Sequence, residues 1–111
     1  MSEGYDMKDL LWLVVTERAE KLTLHSGQPP IIRVRGESHT LEGPALTLEN
    51  ADSLLRNLAS TRYMREFYGR RLVAFNRKVA FSHISPDSAE FRVEAKLVGD
   101  DIQIDLDRVA V

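Results

Sequence analysis

The chain contains no cysteine. Disulfides and thiolate-bound zinc are thereby excluded, and the fold must rest on its apolar core. It also lacks a long hydrophobic run. The longest, Leu10 to Val15, falls far short of the ~20 residues that span a bilayer. Nothing before it reads as a secretory signal, so a cytoplasmic location is expected. Charge of one sign is not in excess. A net charge of −2 over 111 residues gives no electrostatic footprint for nucleic acid or for an acidic membrane. Neither is expected as a partner. Glycine is sparse, and none of the six precedes a lysine, so the G-x-x-x-x-G-K-[ST] phosphate loop is absent. Without it, nucleotide phosphates and Mg²⁺ have no recognisable seat, and ATP hydrolysis is not expected.

What is present fits one globular domain over residues 1–111. Hydrophobic residues at 43% and charged residues at 29% are ordinary values. A chain of this length can bury roughly two-thirds of its unfolded surface. No internal repeat, low-complexity tract or linker divides it.

Apolar periodicity predicts the elements. A first helix runs from about Asp6 to Glu20, with Met7, Leu10, Leu11, Val14 and Val15 as its stripe and Trp12 to one side. Three short strands follow, at about 21–25, 31–35 and 38–41. Thr47 is a good N-cap for a second helix, on which Ala51, Leu54, Leu55 and Leu58 recur at helical spacing. A third helix starts near Thr61. Met64, Phe67 and Tyr68 share a face there, and these aromatics with Tyr63 read as core. Whether Leu72 and Phe75 continue that helix past Gly69 is left open by the pattern. Three strands close the chain, at about 79–84, 90–98 and 102–109.

Two hairpins can be given a register. Gly36-Glu37 fits a two-residue type II′ turn, which sets Ile32 opposite Leu41 and Val34 opposite His39. At the C-terminal end, a Gly99-Asp100 loop pairs Leu97 with Ile102, Ala95 with Ile104 and Val93 with Leu106. It also sets Arg92 opposite Asp107. One face of this hairpin is then apolar and the other charged, as for an antiparallel sheet covered on one side.

Readings from chemistry-bearing residues yield no catalytic residue, no cofactor and no metal site. Each histidine adjoins a serine (His25-Ser26, Ser38-His39, Ser82-His83), but neighbours on a strand point to opposite faces. No nucleophile elbow is present. Asp105, Asp107 and Glu94 share a strand face and could offer oxygen ligands to a hard cation. A solvated face balanced by Arg92 and Lys96 explains them equally well. Arg33, Arg35, Arg70, Arg71 and Arg92 could meet an acidic partner or a phosphate. Trp12, at the margin of its helical stripe, reads first as packed rim and second as a binding anchor.

The segment from Leu22 to Pro44 carries a family resemblance. Leu22, Leu24, Gly27, Pro29, Pro30, Arg33, Gly36, Leu46 and Thr47 match a strand, G-x-P-P, R-x-x-G and Leu-Thr pattern. Phe91-Arg92-Val93 matches a later strand. Together they resemble the N-terminal, PAS-like domain of PilT-like ATPases of type IV pilus retraction and type II secretion, over roughly Met7 to Val109. Lys21, Thr23, Glu94 and Ala80 depart from that family's polar positions.

The resemblance implies an α+β, PAS-like fold: a mostly antiparallel sheet of about six strands with helices on one face. It implies a non-catalytic assembly or regulatory module acting through protein–protein contacts, with a pilus or secretion ATPase core as partner. Arg33 and Arg92 are its candidate contact residues because they lie in the matching strands, with Trp12 beside them. The chain itself is expected to be a monomer or weak homodimer, either complete or excised from a longer ATPase. The alternative is a free-standing PAS-like small-ligand sensor, with His39 and His83 as polar groups in an interior pocket.

Overall fold

The computed structural model describes residues 5–80 and 88–109. In these residues three helices and six strands follow in the order α1 (Met7–Thr16), β1 (Lys21–His25), β2 (Ile31–Val34), β3 (Glu37–Thr40), α2 (Leu48–Leu58), α3 (Thr61–Arg70), β4 (Leu72–Ala80), β5 (Ser88–Val98) and β6 (Asp101–Arg108). The strands form one sheet in the order β3-β2-β1-β6-β5-β4, and every neighbouring pair is antiparallel. The expected α+β architecture, a six-stranded antiparallel sheet with helices packed on it, is the one observed.

Alternation along the strands puts the core on one face of the sheet. Leu22 and Leu24 of β1, Phe91, Val93 and Ala95 of β5, and Ile102, Ile104 and Leu106 of β6 are buried. The helices cover these residues with Met7, Leu10, Leu11 and Val14 of α1, Ala51, Leu54, Leu55 and Leu58 of α2, and Met64 and Phe67 of α3. Side-chain caps start the helices. Asp6, Thr47 and Ser60 accept the backbone N–H of Asp9, Asn50 and Tyr63. Asp52 ties α2 to α3, pairing with Arg56 at 2.7 Å and accepting the Tyr68 hydroxyl. Tyr68 is therefore an exposed rim residue rather than core.

The C-terminal hairpin has the expected register, with Leu97 opposite Ile102, Val93 opposite Leu106 and Arg92 opposite Asp107. Leu97, near the turn, is only half-buried, and Asp105 and Asp107 are half-exposed rather than fully wet.

Three expectations need correction. The first helix ends at Thr16, four residues early. Arg18 adopts a left-handed conformation (φ 55°), and Ala19 N–H and Arg18 N–H return to the carbonyls of Val14 and Val15. This is a Schellman stop with arginine where glycine is usual. The β2–β3 turn is Arg35-Gly36, both at positive φ (53° and 80°), not Gly36-Glu37. That is the type I′ pattern, and it shifts the register so that Val34 faces Glu37 and Ile32 faces His39. Finally, Leu72 and Phe75 belong to β4, which starts seven residues before the expected strand. Left-handed Arg71 (φ 65°) stops α3 and the chain turns directly into the sheet. The rest of the expected 79–84 strand lies outside the described residues.

Candidate interaction surface

With the helices on one side, the other face of the sheet is left open among the described residues. One row of residues crosses all six strands there: Ser38, Arg33, Lys21, Asp107, Arg92 and Asn76. Arg33 and Arg92, expected separately from their strands, thus share a row and a face. Three strand spacings separate them, roughly 14 Å. Arg33 is exposed and directly opposite Lys21, a like-charge pair that costs rather than stabilises. Lys21 leans to Asp107 at 3.9 Å. Arg92 donates from Nε to Glu94 at 3.2 Å. Arg33 has no acidic partner among the described residues.

The next row runs Ile31, Thr23, Asp105, Glu94 and Ala74. Asp105 and Glu94 form a second like-charge pair. Asp105 is held by hydrogen bonds from Thr23 Oγ1 and Gln103 Nε2, each 3.2 Å long. The carboxylates are thus shared among cations and donors, and among the described residues no three His, Asp or Glu side chains group so as to hold a metal ion. The face is banded, with a mainly cationic row beside an anionic one. Where it meets β4, Arg92 and Glu94 border a groove of about 470 Å³ with Glu66, Arg70, Leu72 and Ala74. Exposed Leu72 and Val98 lie at this corner, where the face becomes apolar.

Trp12 is not part of this surface. It sits half-buried on α1, in the helical layer against the core. The three candidate contact residues therefore divide between two sides of the molecule. Sequence patterning set Asp107 opposite Arg92 but missed its place beside Lys21, where it fills the row between the two cations. The β1–β6 pairing that brings it there joins opposite ends of the chain.

Of the two histidines expected in an interior pocket, only His39 falls among the described residues. His39 is exposed on edge strand β3, 3.9 Å from Glu37. His83 lies outside the described residues. Ser26, beside His25, is buried, with its hydroxyl bonded to Asp101 Oδ1 and to the backbone N–H of Ile102. No helix among the described residues is long and apolar enough to cross a membrane.

No protein-family model matches the chain, and no curated protein matches it. Solved structures do. The ATPase DotB of Legionella pneumophila superimposes with a TM-score of 0.81 over 98% of this chain, at 18% identity. DotB of Yersinia pseudotuberculosis gives 0.80 over 99%, at 14% identity. The pilus retraction motor PilT with bound ADP gives 0.78 over 96%, at 18% identity. The matched part is only 31%, 32% and 30% of those chains respectively. Nearly all of this chain therefore shares the fold of about a third of a PilT- or DotB-type ATPase, the kind of protein its strand motifs resemble.

Proposed function

We propose that this domain is a non-catalytic assembly or regulatory module, related to the N-terminal domain of pilus-retraction ATPases, that works in the cytoplasm through protein–protein contacts. The shared fold over almost the whole chain carries the reading. The open face supports it. Two like-charge cross-strand pairs are a poor choice for stability alone, and a partner of banded, opposite charge would relieve both. The partner in this reading is an ATPase core, and the contact uses Arg33 and Arg92.

Sedimentation of the domain mixed with an isolated pilus-retraction ATPase core tests it. A complex should form at micromolar concentration, and reversing both arginines to Glu should weaken it at least about tenfold. Absence of a complex at tens of micromolar, or indifference to the reversal, overturns the reading. The domain alone should show no submicromolar binding of Mg-ATP by calorimetry, since its sequence has no phosphate loop.

A further inference from the structure

Strand β4, nine residues long, closes one side of the sheet, and among the described residues nothing pairs with its outer edge. The backbone groups it leaves unused follow from one bond. Leu97 N–H donates to the Arg71 carbonyl at 3.0 Å, one step before Leu72 meets Lys96. Antiparallel bonding alternates, so Val73, Phe75, Arg77 and Val79 turn their N–H and C=O toward β5. Those of Leu72, Ala74, Asn76 and Lys78 point outward, a free ladder that another strand can extend. Room for one lies along the edge. Leu72, Val73 and Ala74 line a groove of about 470 Å³ with Glu66 and Arg70 of α3, and Arg77, Lys78 and Val79 line another of about 390 Å³ with Met7 and Leu11 of α1. The charges beside the edge also lack complements. Arg77 and Lys78 are exposed, with no acidic partner within ion-pair distance among the described residues. Ala74, further along the edge, is the neighbour of Glu94, which itself faces the like charge of Asp105.

We propose that the outer edge of β4 takes a second copy of this chain, strand against strand, about a two-fold axis at Asn76. The charges choose this register. An axis at Arg77 or Lys78 would set like cations opposite one another, and an axis at Phe75 would leave Val79 and Ala80 unpaired. At Asn76 the whole strand pairs, and outward-facing residues meet outward-facing ones: Asn76 meets its own copy, and Ala74 meets Lys78. Arg77 comes opposite Phe75 rather than another cation. Each Lys78 then extends the row Asp105-Glu94-Ala74 of the other copy. Ala74 is small, and Glu94 lies two strand spacings away, roughly 10 Å, within the joint reach of the two side chains. The like-charge pair of Asp105 and Glu94 thus gains a cation in each copy. Two-fold pairing uses both β4 edges, so it ends at two chains. The contact needs neither Arg33 nor an ATPase core, so it stands or falls separately from the proposed partner.

Sedimentation equilibrium from about 20 μM to about 1 mM tests the contact, since one strand pair is a small interface. A monomer–dimer equilibrium with no larger species is expected. Asn76→Pro removes the N–H on the axis, which β5 does not use, and should weaken association about tenfold or more while the amide spectrum stays that of a folded domain. Lys78→Glu should weaken it about tenfold, and adding Glu94→Lys should restore it. Cross-linking reads the register, because the chain has no cysteine of its own. Asn76→Cys brings two thiols together on Cα atoms about 5.5 Å apart and should oxidise to a covalent dimer. Leu72→Cys leaves them roughly 25 Å apart and should not. A monomer throughout, species beyond the dimer, or a folded Asn76→Pro that dimerises as before overturns the proposal. Equal cross-linking at 72 and 76 overturns the register. If Asn76→Pro unfolds the domain, the two cysteine variants decide.

Discussion

Ser26 is the polar side chain that the described core buries, and it clamps the end of β1 to the start of β6. Ser26→Ala would orphan the Ile102 N–H and remove a donor from Asp101. The expected loss is about 1–3 kcal/mol in urea denaturation, and an unchanged midpoint would show that water replaces the hydroxyl without cost. Arg35 carries the opposite kind of cost. A non-glycine residue in left-handed backbone gives up about 1–2 kcal/mol, and a type I′ turn prefers Asn there. Arg35→Asn should therefore raise stability by up to about 1 kcal/mol; a loss would mean that the arginine side chain stabilises the turn. These residues also mark where sequence reading stopped. Gly36 was legible as a turn, but Arg18, Arg35 and Arg71 carry no signal for positive φ, and each displaced an expected boundary or register.

Among the elements, the β5–β6 hairpin was the most legible. Its two strands alternate strictly, and a short loop fixes their pairing. Leu106 and Asp107 test that register side by side. Leu106, 1% exposed, should cost about 2–5 kcal/mol on truncation to Ala. Asp107→Ala, which breaks only a half-exposed 3.9 Å pair, should cost less than about 1 kcal/mol. Equal losses would place both side chains in similar surroundings, against the observed alternation. Strand β4 was harder to read. Leu72 follows an aromatic helical stripe across Gly69, a glycine that α3 keeps within its span, so local spacing permits either structure, and only pairing with β5 selects the strand. The candidate surface was legible to the same degree. The strands of Arg33 and Arg92 could be read locally, but their common row could not, because it depends on the long-range union of β1 with β6.

For the whole molecule, the sheet among the described residues ends in two edges of different character. Edge strand β3 is short and exposed, while β4 is long but carries Arg77 and Lys78 side by side. Short strands and cations both discourage edge-to-edge growth. The isolated chain should sediment at tens of micromolar as a monomer or a weak isologous dimer. A stable hexamer would show that the domain holds a complete ring interface of its own. The strand order has one more consequence, for synthesis. The strand nearest the C-terminus occupies the middle of the sheet, and its contacts reach across most of the chain, 82 residues between Thr23 and Asp105 and further still between Lys21 and Asp107. Until β6 leaves the ribosome, β1-β2-β3 and β4-β5 are two unjoined ladders, with Leu22, Leu24, Val93 and Ala95 lacking their neighbours. Loop closure must be met late and all at once, so the emerging domain shows adhesive inner edges until its last strand is made.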